Sequence, residues 1–331
     1  MSSKRFSRLE TVSLLYTLTL LVWYLLWHFF GERWWWMVAL SRNAPALLTP
    51  SLFLLGGSLR RRNGRALVFF LVPLAIFIHL YGPLFVPRRA PSPNFDVSVM
   101  SFNALFTNKD YAGIANIILT HQPDLVALQE VQPTMMNSLT RRLGAEYPYS
   151  RTANFVRLST TAIFSRYPLD AVTIVDLGYT RSAIIANVEI GGRTVTLVSA
   201  HLLAYGLLNY PIREYPTQIA EKAQAQVEQA QTLIDVLNTR NTDAIIFACD
   251  CNAKETSDTT RYLATVLLNA AHKTGWQFGP QLVADVRADL DIRHIDYVFY
   301  GGAITPVALY VIKDNTGSDH QPLLALFMLE P

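Results

Sequence analysis

Residues 244–252 read AIIFACDCN, an apolar run of strand length closed by Asp250 and Asn252. A polar group that ends such a strand is well placed for chemistry, because ligands in open α/β sheets collect outside the carboxyl ends of strands. The same arrangement recurs on both sides of it. VSVMSFN ends in Asn103, LVALQE in Glu130 and VTLVSAH in His201, while Asp296 opens IDYVFY and Asp319 with His320 stands just before PLLALFM. If the last two strands run antiparallel to the other four, all of these side chains meet on one rim. Strand-like runs are expected at 96–102, 125–129, 161–164, 195–200, 244–248, 295–300 and 323–328. Helical spacing appears at 111–120 and at 219–237, the second with an apolar stripe of Val227, Ala230, Leu233, Ile234 and Leu237. Strands alternating with helices predict layers of sheet covered by helices.

The rest of the chain is of a different character. Of the 331 residues, 51% are hydrophobic and 16% charged, against about 25% charged in an average soluble protein. Residues 1–93 carry 11 Lys/Arg and 2 Asp/Glu, a formal +9, whereas residues 94–331 carry 17 and 23, a formal −6. This split excludes intrinsic disorder, a disulfide scaffold and a uniformly basic nucleic-acid binder. It predicts a membrane module over 1–86, a proline-rich linker over 87–94 (PRRAPSPN) and a soluble domain over 95–331.

Within the module, 11–30 is free of formal charge and of bilayer-spanning length, and no small-residue cleavage site follows it, so it reads as an anchor helix. A shorter run, 44–59, follows the Trp34, Trp35 and Trp36 cluster, which resembles an interfacial belt, and 66–86 is again of spanning length. Lys4, Arg5 and Arg8 before the first run, and Arg60, Arg61, Arg62 and Arg65 before the third, put both of those ends on the cytoplasmic side. Three crossings leave the domain outside the cytoplasm; Arg88 and Arg89 argue the other way, and a second run that fails to span would turn the domain inward. Cys249 and Cys251, two positions apart on one strand, point the same way and are poorly placed for a disulfide.

The rim residues have the inventory needed to cleave a phosphate ester. Glu130, Asn103 and Asp319 are hard oxygen ligands suited to Mg²⁺, with Mn²⁺ as a substitute. A histidine takes a proton from water while a neighbouring aspartate holds its tautomer, and a second histidine with an amide and a carboxylate meets charge on the phosphoryl oxygens. Taken singly, Asn103, Asp250 and Asn252 are ordinary turn formers at strand ends, Glu130 a solvated end, and His121, His272 and His294 surface or packing residues. Their recurrence in order, each bordering an apolar strand, is what carries the reading.

In VMSFNAL, DLVALQEV, AIFSRYPL, LVSAHL, ACDCNAK, HIDYVFY and GSDHQPLLA the chain resembles the endonuclease/exonuclease/phosphatase superfamily, the metal-dependent fold of deoxyribonuclease I, inositol polyphosphate 5-phosphatases and neutral sphingomyelinases. The resemblance covers 96–329. It implies a four-layer α/β sandwich, two mixed sheets flanked by helices, here preceded by the helical transmembrane module. It also implies Mg²⁺ at Glu130 with Asn103 and Asp319, His320 as general base paired with Asp296, and His201, Asp250 and Asn252 holding phosphate and transition state. Where the family has Gly-Asp-Phe-Asn, this chain has Cys249-Asp250-Cys251-Asn252, which alters the pocket floor and leaves the two reacting residues in place. The His201 element is similar to that of the nuclease, sphingomyelinase and phosphoinositide branches, and the anchored layout resembles bacterial membrane proteins of the superfamily.

Substrate class is the least legible property. A domain charge of −6 offers no general attraction to a polyanion, although Arg157, Arg166 and Arg181 would suffice for a local basic groove. The segment 202–212, LLAYGLLNYPI, carries no charge beside the expected site; it is either an apolar rim that touches a membrane or an acyl chain, or a loop folded back onto the core. A membrane-anchored phosphoesterase hydrolysing a phosphodiester or phosphomonoester, with a lipid or headgroup substrate favoured, is therefore expected first. An extracytoplasmic nuclease comes second, and a silent phosphate-binding membrane protein third.

Overall fold

The computed structural model describes residues 6–86, 94–153, 160–275 and 294–330, with the Leu208 side chain excepted. The expected linker apart from Asn94, together with Arg88, Arg89 and Arg157, lies outside the described residues.

The N-terminal part consists of α1 (Arg8–Phe30), α2 (Trp35–Arg42), α3 (Ala44–Leu48), α4 (Pro50–Arg60) and α5 (Gly64–Phe85). Helices α1 and α5 are long and apolar enough to cross a membrane. At 23 residues α1 measures about 35 Å. The expected 44–59 helix is divided after Leu48, because Pro50 has no N–H to continue the ladder, and α2 meets it at 73°. That bent pair brings the number of possible spans to three. Polarity in this bundle is inverted relative to a soluble domain. Val12, Leu15, Leu18 and Val22 of α1 and Val68, Leu71 and Ile78 of α5 face outward, while Ser13, Thr17 and Ser51 are buried inside.

The remaining chain forms β1 (Val97–Asn103), α6 (Tyr111–His121), β2 (Leu125–Val131), α7 (Pro133–Leu143), β3 (Tyr149–Thr152), β4 (Thr160–Ser165), β5 (Asp170–Asp176), β6 (Ser182–Ile190) and β7 (Arg193–His201). It continues with α8 (Tyr215–Asn238), β8 (Ala244–Asp250), α9 (Asp258–Leu263), β9 (Leu268–Asn269), α10 (Ala270–Thr274), β10 (Asp296–Gly302), β11 (Ile304–Val311) and β12 (Leu323–Leu329). Two six-stranded sheets result, in the orders β11-β12-β1-β2-β4-β3 and β5-β6-β7-β8-β10-β9. Each has one parallel pair at its centre, β1 with β2 and β7 with β8, and antiparallel neighbours outside it. A parallel pair needs a crossover, and α6 and α8 supply the two.

The inner faces of the sheets meet in a core that includes Val97, Val99, Leu125 and Ile163 from one and Ile184, Leu197, Ile246 and Val298 from the other. Helices α6 and α7 cover the outside of the first sheet through Ile114, Ile118, Met135 and Leu139. Helices α8 and α9 cover the second through Ala230, Leu233, Ile234 and Leu263. This is the expected four-layer sandwich of two mixed sheets flanked by helices.

Two readings need correction or resolution. Cys249 and Cys251 are bridged, contrary to expectation, because β8 ends at Asp250, the residue between them, and the chain curls there instead of staying extended. The curl brings their Cα atoms to 5.1 Å, inside the disulfide range and short of the roughly 6.7 Å of an extended pair. The 202–212 segment folds back: Leu202, Leu203 and Tyr205 are buried, and Tyr205 packs with Val38 of α2 and Ile219 and Ala223 of α8. Leu207 and Tyr210 are half-buried, and Gly206, Asn209, Pro211 and Ile212 are exposed.

That segment is secured by Gln229 of α8, whose Oε1 accepts the Leu203 N–H and whose Nε2 donates to the Leu177 carbonyl, both at 2.9 Å. Gln229→Leu orphans two buried backbone groups and is expected to cost about 2–4 kcal/mol. Urea unfolding of the detergent-solubilised protein checks this, and an unchanged midpoint would refute it.

Candidate active site

The strand directions bring the polar ends together. In register, Asp250 at the end of β8 lies beside His201 at the end of β7 and opposite Asp296 at the start of β10. In the first sheet, β12 runs antiparallel to β1, so the loop preceding β12 arrives at the rim where β1 ends in Asn103. Ser318 fastens that loop: its hydroxyl donates to the Asn103 carbonyl at 2.7 Å and accepts the His320 N–H at 3.1 Å. Glu130 sits in a bulge of β2 against β4 with a left-handed φ of 58°. Its Oε2 accepts the Phe106 N–H at 3.0 Å. A non-glycine residue held in that region at a strand end marks a side chain re-aimed for a purpose.

Every residue expected at the site belongs to one connected network. Asn103 Nδ2 donates to Asp250 Oδ2 at 2.7 Å, joining the two sheets, while its Oδ1 accepts the Leu105 N–H. His201 Nε2 lies 3.4 Å from Asp250 Oδ2 and 3.8 Å from Glu130 Oε1. His320 Nδ1 is 2.8 Å from Asp296 Oδ2, and its Nε2 is 3.9 Å from Asp250 Oδ2 and 4.0 Å from Asp319 Oδ1. Asn252 donates its N–H to Asp250 Oδ1 at 3.2 Å and its Nδ2 to the Leu202 carbonyl at 3.1 Å. Asp319 is the most accessible member, its side chain 68% exposed.

Arg181, which the sequence offers only as part of a local basic groove, joins this network. Its Nη1 is 3.2 Å from His201 Nδ1. An arginine only donates, so Nδ1 accepts and the proton of His201 resides on Nε2, facing the carboxylates. Burial, followed by the like charges of Arg181 and His320, holds the His201 pKa well below its ordinary 6.5, so it is a neutral donor. Arg166 lies away from this group, over the Tyr147 ring and 3.8 Å from Glu146, so it and Arg181 do not share a groove.

The remaining titrations follow from crowding of negative charge. Burial, then the Asp296 charge, raises Asp250 to about 7 against the pull of His320 and Asn103. Burial works against protonation of His320, yet Asp296, through its charge and its hydrogen bond, together with Asp250 and Asp319 outweighs it and pushes the imidazole up to about 10. Glu130, Asp250, Asp296 and Asp319 face Arg181 and His320 as the cations, leaving two negative charges uncompensated when all four carboxylates are ionised. That deficit fits a divalent cation, and the donors are the hard oxygens that Mg²⁺ or Mn²⁺ prefers. Asp250, Asp296 and His320 have ligand atoms within 4.8 Å of one another. Asp296 and His320 are committed to each other, however, whereas Glu130 Oε1 has His201 only at 3.8 Å, which makes Glu130 the better anchor.

The Endonuclease/Exonuclease/phosphatase family model matches residues 100–320. Among solved structures, an endonuclease/exonuclease/phosphatase from Beutenbergia cavernae is 20% identical over 72% of each chain, with a TM-score of 0.56. D. rerio TDP2 complexed with single strand DNA product is 18% identical over 70% of this chain and 98% of that one, TM-score 0.57. The Bacteroides thetaiotaomicron mannosyl-6-phosphatase is 14% identical over 70% of this chain and all of that one, TM-score 0.54. At these identities the likeness is one of fold. No curated protein matches the chain. With the family match running from within β1 to the histidine before β12, about two-thirds of the sequence, the chain belongs to the Endonuclease/Exonuclease/phosphatase family, whose members are metal-dependent hydrolases of phosphoester bonds.

Proposed function

We propose that this protein is a membrane-anchored, Mg²⁺-dependent phosphoesterase that hydrolyses a lipid phosphodiester or phospholipid headgroup on the extracytoplasmic side. The observation that carries the reaction is the His320–Asp296 pair at 2.8 Å, aimed into a rim that holds two uncompensated negative charges when its four carboxylates are ionised. Asp296 occupies His320 Nδ1, leaving Nε2 to take the proton from an attacking water and Asp296 to stabilise the resulting imidazolium. Neutral His201 offers its Nε2–H to a phosphoryl oxygen, and Asn252 retains a second amide hydrogen for the same task. Glu130, with Asn103 and Asp319, would hold Mg²⁺, which neutralises phosphate and leaving-group charge. Once Asp250 and Asp319 are offset in this way, the upward push on His320 rests mainly on Asp296.

Two observations support the membrane and its orientation. Asn63 Nδ2 is 3.4 Å from the Ser7 hydroxyl, so Arg8 shares one end of the bundle with Arg60, Arg61, Arg62 and Arg65. The opposite end, with Trp27, Tyr81 and Leu84, packs on the catalytic domain through Ala271. By the positive-inside rule the basic end is cytoplasmic and the domain lies outside. A lipid substrate is favoured because the bundle ends beside the loops that follow β7 and β8, so a headgroup at the bilayer surface is within a short reach.

Glu130→Ala and His320→Ala should each reduce hydrolysis of bis(p-nitrophenyl) phosphate by several orders of magnitude without altering the melting transition; equal rates would refute the assignment. Asp296→Asn removes the charge that raises His320. The acid limb of its rate profile should therefore move to lower pH while the plateau falls, and a fixed limb would exclude the pairing.

Alkaline phosphatase fused at Pro331 should be active and a fluorescent protein at the same point dark, with the reverse result meaning an odd crossing is missing. Phospholipid vesicles should be hydrolysed in preference to single- or double-stranded DNA; preference for DNA would establish the nuclease reading instead.

A further inference from the structure

The helix module is joined to the catalytic domain by specific bonds, and they converge on the two loops that leave β7 and β8. Trp27 Nε1 donates to the Thr256 carbonyl at 2.7 Å, and the Thr256 hydroxyl donates to the Ser41 carbonyl at 2.6 Å. The Glu32 N–H donates to Asp258 Oδ2 at 2.6 Å, and the Asp258 N–H to Glu32 Oε2 at 3.0 Å. Val38 is fully buried beside Tyr205. At the end of α2, Arg42 reaches further: its Nη1 donates to the Asn252 carbonyl at 3.2 Å, and its guanidinium lies 3.9 Å over the Tyr205 ring.

Those contacts fall directly behind the site. Asn252 has left its strand with a φ of 49°, so its carbonyl has no ladder partner. Arg42 and Gln226 Nε2, the latter at 3.1 Å, hold it from two sides. Tyr205 lies four residues after His201, and Asn252 Nδ2 bonds the Leu202 carbonyl between them. A planar guanidinium can stack on the ring and donate to the carbonyl at once, which a lysine ammonium cannot do with the same geometry.

We propose that Arg42 is a positioning residue: through the Asn252 carbonyl and the Tyr205 ring it fixes the loops that carry Asn252 and His201, making the docked membrane module part of the scaffold of the active site. The proposal rests on the reading that His201 and Asn252 meet the phosphoryl group. A misplacement of about 1 Å at such groups lowers turnover by up to about 100-fold, and Arg42 touches neither substrate nor metal ligands.

The test uses the full chain in detergent micelles with bis(p-nitrophenyl) phosphate, a soluble diester that needs no membrane access. Arg42→Ala should lower kcat by about 10- to 100-fold with KM changed less than about threefold. Arg42→Lys, which keeps the donor and loses the planar stack, should recover part of it. Leu84→Ala cuts a cavity in the same module–domain interface, at Ala271 and away from both loops. It should lower the melting temperature at least as much as Arg42→Ala while leaving kcat within about twofold. An Arg42→Ala kcat within twofold of wild type overturns the proposal, and so does an equal kcat loss in Leu84→Ala, which would make the role one of stability alone. If wild type hydrolyses no diester, the catalytic reading fails by itself. Positioning is then read from calorimetric binding of inorganic phosphate with Mg²⁺, where a several-fold weaker Kd in Arg42→Ala supports it and an equal Kd overturns it.

Discussion

A carboxylate with almost no contact with water governs the architecture of this active site. Asp250 is 1% exposed, and burying a charge at that depth is tolerated only where hydrogen bonds and opposite charge surround it. Its partners come from different parts of the chain: the Asn103 amide from the other sheet, the Asn252 N–H from its own loop, and the two histidines from β7 and from the loop before β12. Satisfying Asp250 therefore ties the two sheets together at one rim, beyond the apolar core that packs their inner faces. Its pKa near 7 shows that the compensation is incomplete in the protein alone.

Much of this was legible from sequence because the strands that build the rim are apolar runs that stop abruptly at a polar residue. Their directions could be inferred from which end carried that residue, and β10 and β12 do run against their neighbours β8 and β1. Strands without that punctuation were missed. β5 is a largely exposed edge strand with an aspartate at each end, and β6 is interrupted by Asn187, which is held by the Thr196 hydroxyl at 2.9 Å and by Arg240 Nη1 at 3.3 Å. Arg181 is not legible as a site residue for the same reason, since it stands just before β6, a strand the pattern does not reveal. Ser318 is invisible as a fastener until the loop is seen folded over Asn103.

The apolar stretch after His201 shows why composition underdetermines environment. An uncharged run beside His201 suits a membrane-facing rim or a protein-facing socket, and hydrophobicity is the same for both. What decides between them is the partner surface, here α2 and α8, and α2 lies some 160 residues away in sequence. The same helix module displays leucines outward and serines inward, so one chain contains two opposite partitions of polar and apolar groups, joined at α2.

The bridge between Cys249 and Cys251 gives the turn at Asp250 a maturation step. Both cysteines are fully buried and flank the carboxylate that the network is built around. Disulfides endure in oxidising compartments and are kept reduced in the cytosol, so the covalent state of this turn depends on the compartment in which the domain folds. In a reducing compartment the turn would carry two buried thiols on either side of Asp250, and the rim would differ chemically from that of the bridged form without any change in sequence.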